Sequence, residues 1–212
     1  MLAAALAIFA QPAAAHPHVW VTYETTVNYA NGAVVGVSHI WTFDDMYTAM
    51  AVQGLDKNND GAYTREELSE LAKINMEGLK DFGYFTFAKL AGADLKFKPP
   101  EDAWLEYNDG ILKLHFSLPL EKPVLAEAEG FNYSIYDPSF FIAFEPEKTE
   151  AVKVSSAPAG CSAALTDPAA DKAADDAKRL GDAMAQNLGG DMSGAMGSYG
   201  YGKTVSVTCK KS

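Results

Sequence analysis

Hydrophobic and polar residues alternate with a period of two from Val19 onward, where Val19, Val21, Tyr23, Thr25, Val27 and Tyr29 share one face. Successive side chains of a strand point to opposite sides of its sheet, so this pattern predicts a strand buried on one side. Asn31-Gly32 suits a tight turn, and Val35, Val37, His39, Trp41 and Phe43 then resume the alternation, which makes the pair a hairpin. From Asp44 to Phe82 the period lengthens: Tyr47, Met50 and Leu55 precede a polar loop, and Leu68, Leu71, Met76 and Leu79 follow it. That spacing predicts two amphipathic helices. Strand patterns return at 84–90, 95–97, 103–107, 111–118, 132–136, 140–144, 151–155, 162–165 and 204–209, with turns at Ala91-Gly92-Ala93-Asp94 and Asn108-Asp109-Gly110. The expected fold is mainly β with a helical insertion (α+β), an antiparallel β-sandwich-like domain whose helix-loop-helix enters after the first hairpin.

Two segments stand outside this pattern. Met1 to Ala15 is apolar, carries no charge and ends in Ala13-Ala14-Ala15, as expected of a secretory signal cleaved after Ala15. Its apolar run falls short of the roughly 20 residues a spanning helix needs, so no stable membrane insertion is expected after cleavage. Residues 168–188 are Ala-, Asp- and Lys-rich with helical spacing, and residues 189–202 are rich in Gly, Met, Ser and Tyr, which predicts a helix followed by a loop. Met184, Met192 and Met196 are thioethers of the kind that bind Cu(I), although a plain packing or loop role is favoured for them. The expected organisation is a signal peptide at 1–15, a main β domain at 16–165 with the insertion at about 44–82, and an extension at 166–212.

Composition narrows the function. The 212 residues are 48% hydrophobic and 21% charged, enough for a core. A formal net charge of -11 disfavours a nucleic-acid partner, since binding a polyanion needs Lys and Arg clusters, and the longest terminal basic run is Lys210-Lys211. An acidic surface attracts cations. The two cysteines, Cys161 and Cys209, lie far apart and form no C-x-x-C, so in an oxidising compartment they read as one structural disulfide; free or metal-bound thiols are the alternative. Export and the disulfide agree on an oxidising compartment outside the cytoplasm.

The polar loop between the two helices carries the clearest chemistry. Asp56-Lys57-Asn58-Asn59-Asp60-Gly61-Ala62-Tyr63-Thr64-Arg65-Glu66-Glu67 fits the twelve-residue EF-hand calcium loop. Calcium takes six to eight oxygens, and Asp56, Asn58, Asp60, the Ala62 carbonyl, Thr64 and a bidentate Glu67 would supply them, with Gly61 allowing the sharp turn. No second such loop is present, so a structural ion is expected rather than a cytosolic-type switch. Exported calcium modules commonly bind at roughly 10⁻⁴ to 10⁻³ M.

A second candidate site is the N-terminus left by signal cleavage. His16-Pro17-His18 would place a free α-amine and two imidazoles together, a donor set suited to Cu(II), Ni(II) or Zn(II). Pro17 has no backbone N–H, which excludes the square-planar site built on a deprotonated second amide. His39 or His115 would complete the set if the fold brought one of them in; the favoured reading of both is a strand residue with a hydrogen-bonded ring. Catalysis is not expected. Ser38 and His39 are strand neighbours on opposite faces, Asp44-Asp45 suits a helix cap, and there is no G-x-S-x-G, H-E-x-x-H or phosphate-binding glycine loop.

Several short motifs in a fixed order carry a family resemblance. His16-Pro17-His18-Val19-Trp20-Val21, Trp41-Thr42-Phe43-Asp44, Tyr84-Phe85-Thr86, Tyr136-Asp137-Pro138 with Phe140-Phe141-Ile142-Ala143-Phe144, and Ala157-Pro158-Ala159-Gly160-Cys161 together resemble the domain of unknown function 1007 family over about His16 to Leu165. The resemblance implies an exported bacterial protein, a periplasmic component of a transport system, and a place beside nickel/cobalt-type membrane transporters. The expected function is a calcium-binding accessory protein that binds or delivers a transition metal (nickel, cobalt, zinc or copper) for a membrane transporter. The alternative is a calcium-stabilised adhesion or protein-interaction domain.

Overall fold

A computed structural model describes residues 17–139, 141–166 and 203–210. The predicted signal segment, His16, the predicted helix at 168–188 and the Met184, Met192 and Met196 segment lie outside the described residues.

Strands β1 (Val19–Ala30) and β2 (Ala33–Phe43) form the predicted hairpin, joined by Asn31 and Gly32 at φ 49° and 75°. Both angles lie in the left-handed region that a two-residue hairpin turn requires. β6 (Ile111–Leu125) pairs with β2, and β5 (Glu101–Asn108) pairs with β6, all antiparallel. The other side of β1 departs from the expected antiparallel arrangement: β8 (Ile142–Pro146) and β9 (Val152–Ser155) both add to it in parallel. A parallel neighbour needs a long crossover. Everything from β2 through β7 serves as that crossover, so the first sheet is mixed, in the order β5-β6-β2-β1-β8 with β9 also on β1. The second sheet is antiparallel, in the order β10-β11-β7-β3-β4, and comprises β3 (Thr86–Leu90), β4 (Ala93–Asp94), β7 (Phe131–Ile135), β10 (Cys161–Thr166) and β11 (Thr204–Cys209).

The sheets meet through their apolar faces. Val21, Tyr23 and Val27 of β1, Val37 and Trp41 of β2, and Leu114, Phe116 and Leu118 of β6 share one buried cluster with Ala88, Tyr133, Ile135 and Val205 of the second sheet. Trp41 is its centre, with edge-on contacts to Phe116 and Phe144 at 4.9 and 4.8 Å between ring centroids. Cys161 and Cys209 face one another in the β10–β11 pair and form the predicted disulfide. A link across 48 positions stabilises a fold by about 4 kcal/mol on the chain-entropy account.

Three local expectations are corrected. Val35 does not share the inner face: a bulge between Val34 and Gly36 leaves it out of both ladders, and Val34 is the buried residue instead. Gly36 makes the bulge feasible, because a Cβ there would lie 2.5 Å from the Leu118 carbonyl oxygen. In the first helix Met50 points outward, 62% exposed, while Thr48 takes the inward position. The expected strand at 95–97 is reduced to one bridge between Phe97 and Leu120. Ahead of β3, Gly83, Tyr84 and Phe85 form a 3-10 turn with φ of 60°, 53° and 48°. Left-handed backbone at a bulky residue costs of order 1 kcal/mol, and burial of both aromatic rings holds the turn in place.

His39 lies wholly inside the seam, 2% exposed. Thr86 Oγ1 donates to the Tyr84 carbonyl at 2.9 Å, which uses its only proton, so His39 Nε2–H must donate to Thr86 Oγ1 at 3.2 Å. Nδ1 has no hydrogen-bond partner among the described residues, so no acceptor awaits a second ring proton and the buried ring is neutral. Burial holds the His39 pKa down at about 3 against an ordinary 6.5. Between those values the unfolded chain binds a proton that the folded chain refuses, so the stabilisation is complete above pH 6.5 and is lost as pH falls towards 3. The slope contributed is at most about 1.4 kcal/mol per pH unit. His39→Gln, which keeps a donor but cannot titrate, is expected to flatten the fall in urea stability between pH 7 and pH 5 relative to the parent protein; parallel slopes would refute the assignment.

Candidate functional site

The helix-loop-helix is tied to the first sheet at both ends. Asp44 caps helix α1 (Asp45–Ala51): its Oδ1 accepts from the Tyr47 amide at 2.8 Å, and its Oδ2 accepts from the Trp20 amide of β1, also at 2.8 Å. A carboxylate serves both roles because helix and strand each present an amide at that corner. Thr48 Oγ1 accepts from the Leu112 amide at the start of β6, and Tyr47 stacks on Phe43 at 4.5 Å. Helix α2 (Ser69–Lys80) turns Ala72 inward, with Leu68 just before it fully buried and Leu71, Met76 and Leu79 packed beside them, as the spacing predicts.

Between the helices, residues 56–67 curl around their own oxygens. Asp56 accepts from the Asp60 amide at 3.2 Å and the Gly61 amide at 3.0 Å. Asn58 Oδ1 accepts from the Asp60 amide at 2.9 Å, and Asp60 Oδ1 from the Ala62 amide at 2.8 Å. Gly61 adopts φ 79°, the turn that its lack of a Cβ permits. Glu67 closes the loop by accepting from the Lys57 amide at 3.1 Å and the Thr64 amide at 2.9 Å. Those bonds, with one from the Thr64 hydroxyl, hold the Glu67 carboxyl below its ordinary pKa. Thr64 and Glu67 also form a reciprocal capping box, since Thr64 Oγ1 accepts from the Glu67 amide at 3.2 Å. Side chains of Asp56, Asn58, Asp60, Thr64 and Glu67 are thus all drawn into one short loop with Ala62 between them. Among the described residues, no group of three or more His, Cys, Asp and Glu side chains is gathered in metal-holding geometry, so a cation here depends on the amide, hydroxyl and carbonyl oxygens as well.

The loop's intervening side chains turn away from it and onto the sheet. Tyr63 packs on Tyr107 of β5 at 4.5 Å between ring centroids, and the Arg65 guanidinium sits 4.5 Å above the Trp104 ring. Trp104 stacks on His115 of β6 at 3.9 Å and 9°, and His115 Nε2 is 3.0 Å from Glu106 Oε2. Partial burial lowers the His115 pKa, and the Glu106 carboxylate opposes that shift. Trp104 and His115 line a groove of about 260 Å³ on the outer face of the first sheet, floored by Thr26, Ser38 and Ser117 and flanked by the Glu24–Lys153 ion pair. The groove was missed in the sequence. Period-two alternation placed these side chains outward, but only the register Glu24–Ile40–His115–Trp104 across four strands makes them neighbours.

The candidate histidines are not brought together. His18 is exposed at the start of β1, its amide donating to the Phe141 carbonyl at 2.9 Å and its ring 4.9 Å from that of Phe141. His39 is sealed in the core, as described above. His115 lies level with Glu24, six positions along the strand from His18, or about 20 Å at the rise of a strand. Any transition-metal site at the N-terminus therefore relies on His16, His18 and the α-amine without either of the other rings. Ser38 and His39 face opposite sides of β2, as expected, with Ser38 bonded to Asn28 and Ser117.

The family model described as "Protein of unknown function (DUF1007)" matches residues 1–209, and the chain belongs to that family. The match runs past Leu165, so the family pattern does not stop where the motifs suggest. The chain is also similar to an "Uncharacterized protein" from Haemophilus influenzae (strain ATCC 51907 / DSM 11121 / KW20 / Rd), at 26% identity over 160 residues that cover 74% of this chain and 76% of that protein.

The corner at Asp44 yields a direct structural prediction. Asp44→Ala leaves the amides of Tyr47 and Trp20 without their acceptor, and is expected to lower stability by about 1–2 kcal/mol. Chemical denaturation measures it, and a change within about 0.3 kcal/mol would show that the corner is held by packing alone.

Proposed function

We propose that the protein is an exported, periplasmic calcium-binding accessory protein that binds or delivers a transition metal for a membrane transport system. The observation that carries the calcium part is the loop 56–67, whose Asp56, Asn58, Asp60, Thr64 and Glu67 oxygens are already turned inward by the loop's own amides. The Asp56 and Asp60 carboxylate oxygens and Glu67 Oε1 each accept one bond and keep a second lone pair for a cation, whereas Glu67 Oε2 accepts from both the amide and the hydroxyl of Thr64. Calcium suits this donor set because it accepts many oxygens of mixed type in irregular geometry. Among the described residues no helix is long and apolar enough to cross a membrane. The disulfide is compatible with an oxidising compartment. The transition-metal part rests on the amine and imidazole chemistry expected of His16-Pro17-His18.

A second reading, a calcium-stabilised interaction domain, is favoured by one observation. Trp20, Met46, Met50 and Phe141 expose large apolar side chains at 45%, 78%, 62% and 47%. Trp20 and the first turn of α1 share the Asp44 corner, and Phe141 lies beside His18.

With a dissociation constant near 10⁻⁴ M, 1 mM calcium stabilises the folded state by about 1.4 kcal/mol, which raises the melting temperature by about 3–6 °C. Glu67→Gln is expected to abolish most of that rise, and superimposable melts with calcium and with chelator would exclude a calcium site. For the second metal, Ni(II), Zn(II) and Cu(II) are titrated into protein beginning at His16. Micromolar or tighter binding that disappears in the His16→Ala/His18→Ala variant is the expected result; no binding in the parent favours the interaction domain.

A further inference from the structure

From Asp56 to Thr64 the residues that are not candidate ligands alternate with those that are, and Arg65 and Glu66 separate Thr64 from Glu67. Tyr63 falls between Ala62 and Thr64, and Arg65 falls between Thr64 and Glu67. An ion that fixes the Ala62 carbonyl, Thr64 and Glu67 therefore also fixes the backbone from which the Tyr63 and Arg65 side chains project. Both reach the same edge strand, Tyr63 on Tyr107 and Arg65 on Trp104. His115 stacks parallel to Trp104 at 3.9 Å, so Arg65 and His115 must occupy opposite faces of the indole. The series Arg65–Trp104–His115–Glu106 thus runs unbroken from the loop to the wall of the outer-face groove. Beside it β5 carries a bulge between Glu101 and Trp104, where Asp102 has φ 53°. A bulge interrupts the ladder locally and re-aims the side chains beside it.

We propose that loop 56–67 is a calcium-set latch on β5: the ion organises Tyr63 and Arg65, and these position Trp104 and His115 at the groove. The proposal rests on the calcium reading above and adds the place where calcium occupancy is felt. An ordinary EF-hand leans on a second hand; this one leans on the edge of a β-sheet. Arg65 and Trp104 are positioning residues, since neither supplies an oxygen to the ion.

Coupling between ion and latch is reciprocal, so weakening the latch must weaken the ion by the same factor. The sign separates this from simple electrostatics. Removing the Arg65 charge beside the Asp56, Asp60 and Glu67 carboxylates would by charge alone tighten calcium binding, whereas loss of the latch loosens it. Calcium is titrated calorimetrically into the purified parent protein, Arg65→Gln, Trp104→Leu and the double variant, with chelated melts confirming that each is folded. Each single variant is expected to bind calcium about two- to fivefold more weakly, the scale of one exposed cation–π contact. The double variant is expected to lose no more than either single one. Unchanged or tighter binding in either single variant, or losses that simply add, overturns the latch while leaving the calcium site standing. Equilibrium dialysis that finds the parent protein free of calcium overturns both.

Discussion

Exclusion of water from the space between the two sheets is the constraint on which everything else in this molecule depends. One face of β1, β2 and β6 and one face of β3, β7 and β11 are apolar, and each covers the other. Several polar groups inside that space are paired across it, while Trp41 Nε1 and His39 Nδ1 are buried there without a hydrogen-bond partner among the described residues. Thr25 and Tyr133 bond to one another across the seam at 2.7 Å, and His39 bonds across it to Thr86. These pairs specify how the sheets align, because a slide of one residue would leave a buried hydroxyl and a buried imidazole without partners. Burial pushes the Tyr133 phenol well above its ordinary pKa, as it drives His39 below, so both stay neutral near pH 7.

Once the seam faces inward, the opposite face of the first sheet is committed to solvent, and the chemistry sits there. The outward positions of β1, β2, β5 and β6 carry Glu24, Ser38, Trp104, Glu106, His115 and Ser117. The helix-loop-helix packs over the β5 end of this sheet through α2, Tyr63 and Arg65, and is held at its other end by Asp44 and Thr48.

The fold was legible where one period dominated. The β1–β2 hairpin, the inward stripe of α2, the disulfide and the strand at 204–209 follow from alternation, helical spacing and cysteine arithmetic. Failures have local causes. Val35 was misplaced because a bulge breaks the alternation, and Met50 because a helix of seven residues is oriented by its Asp44 cap and Thr48 bond more than by its apolar stripe. The parallel addition of β8 and β9 to β1 leaves no mark in a period-two pattern, which is the same for either strand direction. The loop's oxygens were readable because its bonds all run within twelve residues; the Trp104–His115 stack was not, because it depends on which strands become neighbours.

The contacts of loop 56–67 with itself and with the sheet bear on the proposed binding of calcium. Four carboxylates in a short loop, Asp56, Asp60, Glu66 and Glu67, repel one another, and that repulsion favours opening of the loop. Here the amides of Lys57, Asp60, Gly61, Ala62 and Thr64 already face the oxygens of Asp56, Asp60 and Glu67, and Glu67 joins the loop's beginning to its end. Part of the ordering cost of binding a cation there would thus be met in advance. The sheet contacts of Tyr63 and Arg65 meet more of it from outside. On the proposed calcium reading, the rigid surface that a second hand supplies in a paired EF-hand would be supplied by β5, through its contacts with Tyr63 and Arg65.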